Sequence, residues 1–173
     1  MTSTPETAAV AVDSEAALAA VAGRLAAALP PRAFVALMGE LGAGKTTFVK
    51  AMAAAAGLDP AGIVSPTFGL IHVHDIPGTA DRRLVHADLY RLSDAADLEE
   101  IGWEDAIAGL GWVFVEWPQR IAPALPRERL DIAIGIDGEQ SRTLTFTGRG
   151  PAYAAAIAAV RPRSAAEGVR PGG

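Results

Sequence analysis

Eight residues, Gly39-Glu40-Leu41-Gly42-Ala43-Gly44-Lys45-Thr46, carry the types that phosphate chemistry needs at the spacing it needs them. Gly39, Gly42 and Gly44 let the main chain wrap tightly, so that successive N–H groups turn inward on phosphate oxygens. Lys45 supplies a flexible point charge for the β- and γ-phosphates, and the Thr46 hydroxyl is an oxygen ligand suited to Mg²⁺. Thr47 follows at the same helix N-terminus and is counted with the nucleotide-binding residues. The order satisfies G-x-x-x-x-G-K-[ST], the P-loop or Walker A pattern; with this chain's residue frequencies a chance match is on the order of 1 in 500. Of 15 basic residues only Lys45 and Lys50 are lysine, which makes the position of Lys45 more informative. ATP with Mg²⁺ is the expected ligand.

A phosphate cradle alone only binds. Turnover needs an acid that holds the metal and a group that positions the nucleophile. In doubly wound sheets ligands sit at the carboxyl ends of strands, which singles out two acids. Asp88 ends the run Leu84–Ala87 and Glu116 ends the run Trp112–Val115. Either suits the Walker B role, and the sequence does not assign which of them binds metal and which orients water. Glu40 lies inside the loop with its side chain expected in solvent. Thr67, in Ser65-Pro66-Thr67-Phe68, stands where a switch loop carries a hydroxyl that senses the γ-phosphate. Trp117 is placed to pack beside the nucleotide or a partner. His72 and His74 share a strand face without a third ligand at credible spacing and read as solvated. His86 alternates into its strand as a packing or hydrogen-bonding residue, and Arg91 reads as a surface ion pair.

The elements that must position these groups follow from the apolar pattern. Ala33–Met38 is a continuous apolar run, as in a strand covered on both faces, and the helix from Lys45 to about Ala56 closes at Gly57. Asp13 or Ser14 caps an earlier helix through about Leu29, with Leu18, Val21 and Leu25 at helical spacing. Thr67–Asp75 and Arg83–Asp88 flank Pro77-Gly78 as a hairpin, and Arg129–Ile136 and Arg142–Thr147 form another about Asp137-Gly138. A helical stretch is expected from Ser93 to about Leu110, interrupted at Gly102, and a last helix over 152–160. The fold class is α/β: a P-loop sandwich with a mostly parallel central sheet and antiparallel hairpins. Residues 13–160 make a single domain, with 1–12 a loose N-terminal tail and 161–173 a disordered C-terminal tail.

GELGAGKTTF at 39–48, SPTF at 65–68, HADLYRL at 86–92 and VEWPQR at 115–120 occur in an order and spacing that resembles the TsaE (YjeE) family over roughly residues 14–147. That resemblance implies a P-loop ATPase of tRNA threonylcarbamoyladenosine biosynthesis. It works in a complex with TsaB- and TsaD-like proteins, on the adenosine beside the anticodon of ANN-decoding tRNAs. TsaD carries the transfer chemistry, and hydrolysis by the TsaE-like subunit resets the complex between cycles. By motif, Gly39–Lys45 bind phosphate, Thr46 binds magnesium and Asp88 and Glu116 are site acids. Thr67 belongs to a switch-like loop, and Trp117 lies near the nucleotide.

Composition narrows the partners. A net charge of −5 disfavours tight binding of tRNA by this chain alone, so any contact with tRNA is expected to be indirect. The absence of cysteine excludes disulfides and thiolate metal sites. No apolar window reaches the length of a membrane span, and the N-terminus lacks a basic n-region, so a cytoplasmic protein is expected. A small-molecule or nucleoside kinase is the nearest rival, but it needs an acceptor pocket and usually an arginine-bearing lid. A GTPase of the Ras type would need N-K-x-D, and a non-catalytic assembly module would use ATP only to hold a conformation. No arginine finger is evident, so hydrolysis by the chain alone is expected to be slow.

Overall fold

In the computed structural model, which describes residues 4–66 and 70–163, one seven-stranded sheet runs in the order β1-β7-β6-β2-β5-β4-β3. Its middle is parallel: β2 (Arg32–Met38) lies between β5 (Leu110–Glu116) and β6 (Arg129–Ile136), and β4 (Arg82–Asp88) flanks β5. The edges are antiparallel, with β3 (Ile71–Asp75) hairpinned to β4 and β7 (Arg142–Arg149) to β6. This is the expected mostly parallel α/β sandwich with closing hairpins.

Alternation along the central strands sorts side chains onto two cores. Val35 and Leu37 of β2 and Phe114 of β5 face the layer of α1 (Glu15–Ala28), α2 (Lys45–Ala55) and α4 (Ala154–Val160). Phe34, Val113 and Val115 face the opposite layer, built from 3-10 turns and the short helix α3 (Trp103–Ile107). Both faces are covered, which is why these strands read as unbroken apolar runs. Helix α1 starts where the Ser14 hydroxyl accepts the Ala17 N–H at 3.1 Å, and Arg24 ties it to α4 through the Ala159 carbonyl. Helix α2 ends on Gly57 at φ +86°, with Gly57 N–H bonded to Ala54 O and Leu58 N–H to Ala53 O. Those two bonds satisfy carbonyls that a helix end otherwise leaves open.

Two expectations need correction. Residues 6–12 are not a loose tail: Glu6–Val12 is strand β1, paired with β7 from Glu6↔Gly148 to Val12↔Arg142. Ala8, Val10 and Val12 point into the core, an alternation that small side chains carry only faintly in sequence. The stretch 93–110 is not one interrupted helix either. Asp94, rather than Ser93, caps a 3-10 turn over Ala95–Leu98, and Gly102 at φ +70° starts the five-residue α3. The C-terminal tail falls mostly on 164–173, outside the described residues.

Gly111 shows how tightly β4 and β5 approach. Its φ is +123°, and a methyl group there would overlap the Arg83 carbonyl. Gly111→Ala is therefore expected to destabilise the fold by about 3 kcal/mol or more. Thermal unfolding should read this as a drop in Tm of roughly 6–12 °C.

Candidate functional site

Three strand ends meet at one edge of the sheet. Strand β2 delivers the glycine-rich loop; β4 ends on Asp88 and β5 on Glu116, which face each other in register on adjacent parallel strands. The loop turns on Gly42 (φ +81°) and on Gly44 (φ +104°), the residue before α2. At Gly39 a Cβ would come within 2.9 Å of the Ile134 carbonyl and 3.0 Å of the Ala43 methyl, so only glycine lets the chain leave β2 along this path.

Lys45 is buried, 5% exposed, and folds back over the loop. Its ammonium donates to Gly39 O at 2.6 Å and Glu40 O at 3.0 Å, and stands 4.3 Å from the centre of the Trp117 ring. Burial pulls its pKa below the ordinary lysine range, while Glu116 and Asp88 oppose that shift. Trp117 holds its position with a left-handed backbone, φ +60°, which is strained for a residue with a side chain. Its ring packs against Tyr90 with centroids 4.9 Å apart.

Seventy residues apart in sequence, Thr46 and Glu116 meet: the Thr46 hydroxyl donates to Glu116 Oε1 at 2.7 Å. The fully buried His86 reaches the same oxygen from Nε2 at 2.9 Å. An ionised carboxylate offers only acceptors, so the imidazole donates. Asp88 sits farther out, where Ser65 Oγ donates to one of its oxygens at 3.1 Å and the Tyr90 N–H to the other at 3.1 Å. A cleft of about 450 Å³ opens above these groups, lined by Lys45, Thr46, Thr47, Asp88, Glu116 and Trp117 among others.

A family model, described as threonylcarbamoyl adenosine biosynthesis protein TsaE, matches residues 12–144. The chain belongs to the TsaE family. It is 39% identical to the Bacillus subtilis tRNA threonylcarbamoyladenosine biosynthesis protein TsaE over 134 residues, 78% of this chain and 81% of that one. Against the Streptomyces coelicolor protein of the same name, identity is 36% over 142 residues, 79% of this chain and 94% of the relative. The crystal structure of Bacillus subtilis YdiB superposes with a TM-score of 0.73 at 30% identity, covering 91% of this chain and 96% of that one.

In this TsaE-family chain the fold brings Gly42, Gly44, Lys45, Thr46, Thr47, Asp88, Glu116 and Trp117 to one cleft. Leu41 lines it too but is 78% exposed, and Ala43 is buried beneath the loop. Glu40 turns its side chain to solvent and contributes its carbonyl. Thr67 lies outside the described residues. His72 and His74 stand on β3, next to β4 at the sheet's edge, and among the described residues no cluster of His, Asp and Glu is arranged to hold a metal. Arg91 is exposed and lines the cleft.

Two features were not visible in the sequence. His86 is the buried partner of Glu116, a pairing set by β4 lying beside β5. Arg142, at the start of β7, donates from Nε to the Ala43 carbonyl at 2.9 Å, across 99 residues. It also lines a second cleft of about 450 Å³ on the other side of the loop, walled by Val12, Leu18, Ile134 and Leu144 and edged by Ser14 and Gln140. The invariant spacing of a P-loop says nothing about which distant hairpin will back it.

Proposed function

We propose that this chain is an Mg²⁺-dependent ATPase that serves threonylcarbamoyladenosine modification of the tRNA adenosine beside the anticodon, in complex with TsaB- and TsaD-like proteins. The observation that carries the reading is the convergence of Thr46 on Glu116 beside Lys45. A hydroxyl and a carboxylate are hard oxygen donors of the kind Mg²⁺ prefers, and the glycine-only path of the loop leaves room for phosphates against backbone N–H groups. The residues fit the metal, and Thr46 with Glu116 would hold it. Bound there, Mg²⁺ would offset charge on the β- and γ-phosphate oxygens.

The chain's own residues supply the rest. Lys45 exchanges the two loop carbonyls for phosphate oxygens and neutralises charge as the γ-phosphoryl group departs. Trp117 covers that ammonium and limits its access to water, which strengthens its pull on an anion. Asp88, which accepts from Ser65 and the Tyr90 N–H, orients the attacking water in this reading. The apolar walls of the second cleft suit the adenine ring, with phosphates passing over the loop between the two clefts.

An apolar rim around the cleft favours a partner. Leu41, Val64 and Tyr90 are 78%, 52% and 48% exposed, more apolar surface than an isolated soluble site needs. A protein seated there would exclude water from the transferring group. Against the kinase reading, Arg91 alone of the three arginines between β3 and β5 lines the cleft, while Arg82 stacks over Trp112 and Arg83 donates to Ala108 O. Both stand at the start of β4, roughly 20 Å from Asp88 at strand spacing. Among the described residues no helix is long and apolar enough to cross a membrane.

The test is ATP hydrolysis by the purified chain, alone and with TsaB- and TsaD-like proteins. The expected outcome is slow turnover alone and at least about tenfold acceleration by the partners. Phosphate transfer to a small acceptor in preference to water would replace this reading with the kinase one.

A further inference from the structure

Arg142 spends its donors on main-chain carbonyls of two loops. Beside the 2.9 Å bond to Ala43 O, Nη2 reaches Gly42 O at 3.5 Å, while Nη1 donates to Gly138 O at 2.8 Å, Ser141 O at 2.9 Å and Glu139 O at 3.4 Å. Among the described residues no carboxylate forms an ion pair with it, and its hydrogen-bond partners are all main-chain carbonyls. The planar guanidinium suits this task because its five N–H groups fan out in a fixed fork, and among the described residues no other side chain is seen to bond to both loops.

The consequence lies in the peptide plane. A trans peptide points its C=O and the following N–H in opposite directions. Arg142 fixes the Ala43 carbonyl on the hairpin side of the loop, so the Gly44 N–H is turned to the opposite, inner side. The neighbouring plane is held as well, because Ala43 N–H is bonded to Glu40 O at 3.0 Å while Arg142 approaches Gly42 O. The loop's two left-handed glycines, Gly42 and Gly44, bracket the two successive planes that Arg142 approaches, and their freedom in φ is what would otherwise let those planes turn.

We infer that Arg142 is a positioning residue of the phosphate cradle: it pre-orients the loop's N–H groups and locks the cradle to the 137–141 turn beside the second cleft. This rests on the nucleotide-binding reading of the same loop, and it assigns a role in that binding to a residue 96 positions beyond Thr46.

The test compares Arg142→Gln, Arg142→Lys and a control, Arg149→Gln, by calorimetric binding of Mg·ATP and of inorganic tripolyphosphate with Mg²⁺. Arg149 lies at the far end of the same hairpin, where it pairs with Asp131, and Arg129 keeps that acid paired when Arg149 is removed. Arg142→Gln should weaken ATP and tripolyphosphate alike, by about 10- to 100-fold, the loss expected for charge-assisted bonds that fix the donors. Arg149→Gln should lower Tm and leave both affinities unchanged. Arg142→Lys keeps the charge without the fork and should still lose about tenfold; if Arg142→Gln does not fold, this variant decides the matter. Wild-type affinity for tripolyphosphate in a folded Arg142 variant overturns the proposal, as does a loss confined to ATP, which would place Arg142 on the base side only. A wild-type chain that binds neither ligand would instead overturn the nucleotide-binding reading and this proposal with it.

Discussion

Lys45→Ala should abolish ATP binding, with affinity falling at least about 100-fold. The side chain is buried yet makes no direct bond to a carboxylate: its hydrogen bonds go to Gly39 O and Glu40 O, and its face is covered by Trp117. Those are weak partners for a desolvated ammonium, which is why burial dominates its lowered pKa. A triphosphate is a far better one, so the charge contributes much more to the bound complex than to the fold. Truncation removes two hydrogen bonds but also a desolvated cation, and Tm should move by only a few degrees. Calorimetric titration with Mg·ATP alongside thermal unfolding separates the two effects. A variant that binds ATP as the wild type does would mean that the phosphates lie elsewhere.

Glu116→Gln should lower turnover by about 100- to 1000-fold while changing ATP affinity by less than about tenfold. The amide keeps the volume and an oxygen to accept from Thr46 and His86, so the two hydrogen bonds that lock the side chain survive. What disappears is the carboxylate beside Thr46, the group proposed above to hold Mg²⁺. Apparent Mg²⁺ affinity should weaken with turnover, and raising Mg²⁺ should recover part of the rate. Asp88→Asn is the informative companion, because Asp88 is bonded to Ser65 and the Tyr90 backbone rather than to Thr46. If it orients water, its loss lowers turnover with no change in Mg²⁺ dependence. Normal turnover in Glu116→Gln would remove that residue from the catalytic account.

The sequence carried the local parts of this site and not the long-range ones. The cradle is legible because it is built from consecutive positions, with Gly39, Gly42 and Gly44 dictated by backbone geometry and Lys45 by charge. Asp88 and Glu116 were legible as acids ending apolar runs, since parallel strands put their carboxyl ends on one edge. Their division of labour was not, because it depends on which strand lies next to β2. That neighbour is β5, so Glu116 rather than Asp88 reaches Thr46. The same limit hid His86 as the partner of Glu116 and Arg142 as the backing of the loop. Strand β1 was missed for a related reason: an edge strand made mostly of alanine and valine declares itself only by pairing with β7, from Val12↔Arg142 to Glu6↔Gly148. The 93–110 stretch erred the other way. Its polar and apolar residues have a helical rhythm, but Gly102 in the left-handed region divides it into separate short turns.

Whether ATP hydrolysis in this cleft serves repeated rounds of tRNA modification is decided by measuring threonylcarbamoyladenosine formed per partner complex over time. The reaction would contain TsaB- and TsaD-like proteins, an activated threonylcarbamoyl donor and an ANN-decoding tRNA, with wild-type chain, Lys45→Ala or neither. Many turnovers are expected with the wild type, and a halt after about one with Lys45→Ala or without the chain. Continued turnover with Lys45→Ala at the wild-type rate would contradict that role for hydrolysis.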